Sequence, residues 1–387
     1  MSSAPLHRPM VARDPEEEHR PATPLELFFD LCFVAAVAQI SGELHHYVAD
    51  DLAAHALPGY LAVFFAIWWA WMNFTWFASA YDTDDVPYRI ATFGVITGAL
   101  ILAAGVTKAF EQHDYLIITL GYTVMRVALI SLWLRAARSH PEGRTTALRY
   151  ALGLVVVQAA WLCWLLVPPG LQLPLFAAFA VCDLAVPVWA EHLRRTPFHP
   201  HHIAERYGLF TLIVLGESVL GATTAVRSAV DANQATWHLY AVAAGGLLTV
   251  FAMWWLYFAR PAAPLLVSLR VAFVWGYGHY LIFGSAAAVG AGLAINVDQV
   301  THHAAIDRVP AAAAVTLPVA LFLLTLWLLH VRPHQVNPGH SALFPGTALL
   351  VLATTLAPAP VLVTGLLLTA LVAAGLLAGP RAPRASG

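Results

Sequence analysis

The chain has 387 residues, of which 59% are hydrophobic and only 11% charged, against about 25% charged in soluble domains. That excludes an ordinary soluble globular protein. The net charge of −2 leaves no basic stripe for neutralising phosphates, so nucleic acid is not an expected partner. The three cysteines, Cys32, Cys163 and Cys182, all fall inside apolar stretches, which offers neither a disulfide framework nor a metal-ligand spacing. No metal or other cofactor is expected.

A hydrocarbon core about 30 Å thick needs about twenty apolar residues per helix. Windows of that length predict helices over 24–48, 57–80, 89–110, 114–135, 147–167, 171–190, 206–226, 237–259, 268–294, 311–331, 343–357 and 359–379. The expected fold is therefore an all-α polytopic integral membrane protein with about 12 transmembrane helices. The first twenty residues carry Asp14, Glu16, Glu17 and Glu18 and no apolar leader, so the first window reads as a retained helix rather than a signal peptide. Between the last two windows, Pro358 and Pro360 predict a tight turn; one broken helix with a re-entrant half is the alternative.

Lys and Arg counted over alternate loops divide sixteen against three, with Arg126 inside a span. Lys108, Arg227 and Arg308 form the minority. Because positive loops stay in the cytoplasm, this predicts an even number of spans in a bacterial inner membrane with both termini cytoplasmic. An internal echo divides the chain further. Glu26 opens the first helix and Glu205 the seventh, and the following helices carry Trp68-Trp69 and Trp254-Trp255. The domain reading is an arm at 1–23, a first six-helix repeat at 24–190, a linker at 191–205, a second repeat at 206–379 and a tail at 380–387. An even helix number per repeat gives parallel repeats, as in many transporters; chance similarity between Trp-rich helices is the competing explanation.

Three ordered stretches carry a resemblance. Leu25-Glu-Leu-Phe-Phe-Asp-Leu-Cys-Phe-Val34 comes first, followed by Trp68-Trp-Ala-Trp-Met-Asn-Phe-Thr-Trp-Phe-Ala78 running into Tyr81-Asp-Thr-Asp-Asp85. The third is His202-Ile-Ala-Glu-Arg-Tyr-Gly-Leu-Phe-Thr-Leu-Ile-Val-Leu-Gly-Glu217. Together they resemble the signatures of the bacterial low temperature requirement A family, with Cys32 in place of an aliphatic residue. The resemblance covers about 24–380 and implies a multi-pass membrane protein linked to growth in the cold, without a settled biochemical activity.

Charged groups at a helix centre cost about 2.5–3.5 kcal/mol on insertion scales, and so mark a pathway or a structural pair. At about 1.5 Å per residue, Asp30 lies roughly 9 Å deep, Asn73 and Asp183 about 10 Å, Arg126 about 13 Å, and Gln158, Glu217 and His279 about 16 Å. Seven polar side chains from seven helices thus fall in one layer, which makes a shared interior site plausible. Glu217 leads these candidates. The neighbouring Gly216 and Gly221 would admit a close approach, and the alternative is a structural pair with Arg126. Glu26 and Asp30 share a helical face at i, i+4, where two like charges favour a basic partner or a shared proton; Glu26 can also cap its helix.

His202, Glu205 and Arg206 at the mouth of the seventh helix, with Asp82 and Arg89 in an acidic loop, read as a cytoplasmic gate. A metal site there lacks a second histidine in helical register. The acidic loop either gathers cations or anchors nearby arginines, and Trp68 to Trp71 either line a cavity or pack between helices. The leading functional reading is a secondary transporter or permease for a small solute or ion, with the bilayer as its other partner and no enzymatic activity. There is no G-x-x-x-x-G-K-[ST] motif to supply nucleotide hydrolysis. The alternatives are a sensor or assembly factor for cold growth, and an integral membrane enzyme acting on lipid-linked substrates.

Overall fold

The computed structural model describes residues 5–15, 17, 20–234, 236–266, 268–334 and 338–378. Within them the chain forms twelve α-helices and no strand: α1 (Pro24–Ala49), α2 (Ala53–Tyr81), α3 (Val86–Gln112), α4 (Leu116–Ser139), α5 (Arg144–Trp164) and α6 (Pro169–Ala190). The remainder are α7 (Pro200–Asp231), α8 (Trp237–Phe258), α9 (Leu269–Val300), α10 (Arg308–Leu326), α11 (Pro338–Thr354) and α12 (Pro360–Ala378). Among the described residues, eleven of these stretches are long and apolar enough to cross a bilayer. The exception is α11, whose 17 residues span only about 26 Å. The protein is an all-α polytopic membrane protein.

Local chemistry sets the ends. Thr23 and Glu26 form a capping box on α1: the Glu26 carboxylate accepts from Thr23 N at 2.8 Å, and Thr23 Oγ1 accepts from Glu26 N at 3.3 Å. Asp85 caps α3 by accepting from Tyr88 N at 3.0 Å. The segment between α11 and α12 contains Pro358, and Pro360 starts α12, because proline lacks the amide that a continuing helix requires. The two are separate helices joined as a hairpin, with Thr354 and Thr364 hydroxyls 2.8 Å apart. This is the turn between two helices that the prolines predict. α7 begins at Pro200, six residues before the expected start, so much of the expected linker's end is helical. His202 and Arg206 occupy its first two turns, and their buried partners on α1 account for the extension.

The chain groups into two compact units. The first draws on Met1–Glu43, Pro58–Phe210 and Leu266–Arg270; the second draws on Leu44–Leu57, Thr211–Leu265 and Val271–Gly387. In the first, α3, α4, α5 and α6 pack in sequence, and α3 meets α4 so closely that a Cβ on Gly98 would lie 2.5 Å from Gly121 O. The arm before α1 lies on this unit: Arg13 N donates to Ala80 O, the buried Arg20 donates to Ala78 O, and Met10 is fully enclosed. In the second unit α12 packs along α8, and a Cβ on Gly245 would lie 2.5 Å from Leu362 Cα. Gly216 and Gly221, by contrast, have nothing within 4 Å of a built Cβ. They do not serve the close helix approach expected of them. The two Trp-Trp pairs also differ: Trp68 and Trp69 are buried, whereas Trp254 and Trp255 are nearly half exposed.

Candidate functional site

α1 presents Glu26 and Asp30 one turn apart, and α7 presents His202 and Arg206 with the same spacing. These two i, i+4 pairs meet. His202 Nε2 lies 3.1 Å from one Glu26 carboxylate oxygen and 3.2 Å from the other. Arg206 grips Asp30 with two bonds, Nε to Oδ2 at 3.0 Å and Nη2 to Oδ1 at 2.6 Å, the forked geometry that suits a guanidinium to a carboxylate. Its Nη1 sits 3.0 Å from Glu26 Oε1 but is not aligned for a hydrogen bond. From α2, Trp71 Nε1 donates to Asp30 Oδ1 at 2.7 Å. The guanidinium also lies over the Phe29 ring, 5.7 Å from its centroid.

All four ionisable side chains are at most 1% exposed. Two carboxylates face Arg206, and the buried Arg20 and Asp82 lie within electrostatic reach of Glu26, so three carboxylates meet two permanent cations and the set balances when one further proton is present, on His202 or shared with a carboxylate. Among the described residues His202 Nδ1 and the nearby Tyr88 hydroxyl have no hydrogen-bond partner. Toward the helix ends, His202 N donates to His199 Nδ1 at 3.3 Å, and the His199 ring meets Glu17 O at 2.8 Å. Asp82, just beyond α2, is pushed up to about 6 by burial and by the Glu26 charge. The Asp85 carboxylate is held at about 2: burial opposes its ionisation, but hydrogen bonds from Arg135 and from the backbone of Arg8 and Tyr88 prevail.

A second network lies on another side of α2. Arg126 of α4 donates from Nη2 to Asp183 of α6 at 2.5 Å and to the Tyr122 hydroxyl at 3.0 Å. Asp183 also accepts from Trp69 at 2.8 Å and from Trp161 of α5 at 2.9 Å. Beside it is a cavity of about 50 Å³, lined by aromatic rings that include Phe65, Tyr122, Trp164 and Phe176. Trp69 and Trp71 are two positions apart, about 200° around a helix, so their indole N–H groups serve different networks.

The single polar layer expected from depth is therefore several separate assemblies, because depth along an axis leaves azimuth undetermined. Arg126 pairs with Asp183 and not with Glu217, which is half-buried and has no hydrogen bond or ion pair among the described residues. Asn73 bonds back to Trp69 O at 2.7 Å, and Gln158 donates to Thr123 at 2.7 Å. In the second unit His279 is satisfied on both nitrogens, by Trp275 O at 2.7 Å and by the Tyr257 hydroxyl at 3.1 Å. The expected gate residues also part company. His202 and Arg206 point inward, Glu205 is exposed and accepts from Ala22 N at 3.2 Å, and Arg89 pairs with Asp84 at 2.8 Å on the surface. Sequence reasoning missed Trp69, Trp71, Trp161 and Tyr122 as partners of the buried charges. Their signal was aromatic donors near intramembrane carboxylates.

Spanning helices that enclose networks of buried charge define a polytopic membrane protein with ionisable groups inside its helix bundle. The family model for the bacterial low temperature requirement A protein (LtrA) matches residues 21–378, and the chain belongs to that family. A protein of Rhizobium meliloti (strain 1021), described as uncharacterized, is 26% identical over 378 residues, covering 92% of this chain and 88% of its own length.

Proposed function

We propose that the protein is a secondary transporter or permease for a small solute or ion, not an enzyme, and that Glu26, Asp30, His202 and Arg206 form its proton-coupling site. One observation carries this reading: four ionisable groups, almost wholly enclosed, in which carboxylates outnumber permanent cations. Each buried ion costs several kcal/mol, so a structural brace gains nothing from a surplus carboxylate. A carrier does, because the surplus is a place for a proton, and intramembrane acid and histidine pairs recur along proton pathways. The sixteen-to-three basic bias supports placing this set toward the cytoplasmic face of the inner membrane, with both termini cytoplasmic.

The test uses proteoliposomes loaded with a pH-sensitive dye, under an imposed proton gradient, across a panel of cations, anions and small metabolites. Wild type and Glu217→Gln are expected to give solute-dependent proton flux, and Glu26→Gln and His202→Gln are expected to lose it. Loss in Glu217→Gln alone moves the coupling to that carboxylate. Silence from folded, inserted wild type across the panel overturns the transport reading in favour of a membrane sensor or a lipid-linked enzyme.

A further inference from the structure

The second unit sorts its charge by end. Apart from Glu217, its carboxylates are Asp50, Asp51, Asp231, Asp298 and Asp307, which lie where α1, α7 and α9 finish and where α10 starts. The opposite end carries Arg260, His330, Arg332, His334 and His340. The sequence contains no Asp or Glu over 232–297 or beyond Asp307, so this end has no acid of its own.

Arg260, half-buried just after α8, has no carboxylate partner among the described residues. It lies within electrostatic reach of both His330 and His340, and His334 lies within reach of His330. His330 is only 2% exposed and sits in a π-helical turn, Trp327–Val331, a distortion often found at functional sites. Among the described residues both of its ring nitrogens lack a hydrogen-bond partner, as do Nε2 of His334 and Nδ1 of His340. The inner wall consists of Tyr257, His279 and Trp275, with ring centroids 5.0, 5.5 and 5.8 Å from that of His330. His279 cannot satisfy it, being engaged on both nitrogens.

An unmade buried hydrogen bond costs about 1–3 kcal/mol, and here those of His330 and His340 lie within electrostatic reach of one guanidinium and that of His334 within reach of His330. Imidazole offers one N–H when neutral and two when protonated, and guanidinium is a donor only. We infer that Arg260, His330, His334 and His340 form a binding site for a small phosphate-type oxyanion, a ligand whose several oxygens can take more than one donor at once. A cation would meet Arg260 with no acid to offset it. The oxyanion is either free phosphate or the phosphate of an anionic lipid headgroup. This site shares no residue with the proposed coupling site, so either proposal can fail alone.

The test takes purified full-length protein in a neutral detergent and titrates it with inorganic phosphate, followed by calorimetry and by the ³¹P linewidth. In parallel, the protein is placed in phosphatidylcholine nanodiscs with or without phosphatidylglycerol, and retained lipid is counted by native mass spectrometry. Saturable binding is expected, weakened about tenfold or more by Arg260→Gln and likewise by His330→Phe. His45→Gln, at the acidic end, is expected to leave it unchanged. Arg260→Gln removes a group that has no carboxylate partner among the described residues, and keeps the test valid if His330→Phe does not fold. Phosphate binding assigns a free-anion site, and selective retention of phosphatidylglycerol assigns a headgroup site. Binding of neither, or binding that Arg260→Gln leaves intact, overturns the proposal.

Discussion

The two units treat their arginines in opposite ways. In the first, the arginines enclosed within spans are met by acids from other helices: Arg206 of α7 by Glu26 and Asp30 of α1, and Arg126 of α4 by Asp183 of α6. Nearer the helix ends, Arg135 meets Asp85, Arg89 meets Asp84 and Arg194 meets Glu142. In the second unit, Arg227 reaches only Asp231 of its own helix, at 3.6 Å, and Arg260 and Arg332 meet no acid among the described residues. The helices of that unit meet through close contact of small residues, such as Gly245 against Leu362 and Gly290 against Ser218, as α3 and α4 also do in the first unit. The enclosed arginines of the first unit are therefore fastenings, and Arg260 of the second is a resource left for a ligand. An unspent guanidinium beside unpaired imidazoles is suited to a ligand, whereas a doubly gripped one is suited to holding helices and, where acids are in excess, a proton.

The largest test of this contrast is Arg206→Met. It leaves two enclosed carboxylates without their permanent cation, and breaking a buried pair from one side costs about 3–5 kcal/mol. A large drop in thermal stability is expected in detergent, by intrinsic tryptophan fluorescence. Arg126→Leu is expected to cost a similar amount. Adding Asp183→Leu to Arg126→Leu should recover part of the loss, short of the whole because the indoles of Trp69 and Trp161 would then lack acceptors. Additive losses in that double variant would mean that Asp183 and Arg126 do not act as a pair.

A middle-sized effect separates the two kinds of fastening. Gly245→Val puts side-chain atoms where a Cβ alone would be 2.5 Å from Leu362 Cα, and overpacking of that kind costs about 1–3 kcal/mol. Gly216→Ala meets open space and is expected to be neutral or slightly stabilising, since glycine within a helix costs about 0.5–1 kcal/mol relative to alanine. Equal losses at both sites would break the claim that small-residue contacts are what joins α8 to α12.

Much of the architecture was legible because a bilayer demands uninterrupted apolar stretches, and those are countable. The start of α7 was less so: Pro200-His201-His202 is polar, and it becomes helical because His202 and Arg206 have acids to reach on α1. Which charges would meet was not legible. Asp30, Asp183, Arg126 and Glu217 have similar depths, and depth alone allowed Glu217 to be matched with Arg126. The deciding variable is the direction around each helix together with the order of helices in the bundle, which no local pattern encodes. The tryptophans illustrate the same limit. Trp69 and Trp71 count as apolar in a hydropathy window, yet each spends its one polar hydrogen on a buried carboxylate.

A smaller effect should run in opposite directions at two acids three positions apart. Asp82 is raised to about 6 from an unfolded value near 3.9, so the folded state binds its proton more tightly. Its contribution to stability is fully present below about pH 4 and is lost as pH rises through about 6. Asp85, held at about 2, contributes above about pH 4 and loses that contribution as pH falls toward 2. Asp82→Asn is therefore expected to gain stability over wild type above pH 6, on the order of 1 kcal/mol, and to flatten the profile between about pH 4 and 6. Melting temperatures across that range check it. A wild-type profile that is already flat there would remove Asp82 as a titrating group.

The smallest expected effect is the one that sharpens the contrast most. Arg260→Gln in phosphate-free buffer should change stability by less than about 0.5 kcal/mol, as at surface positions without special partners, although it deletes the same charged group as Arg206→Met. The difference lies in what surrounds the guanidinium: Arg206 neutralises enclosed acids, and Arg260 neutralises none among the described residues. Adding phosphate should then separate the proteins again. A ligand that binds only the folded state stabilises it in proportion to the logarithm of its concentration over Kd, so wild type should rise with phosphate while Arg260→Gln stays level. If Arg260→Gln is strongly destabilising without any anion present, the guanidinium is a fastening after all, and the two units handle their arginines alike.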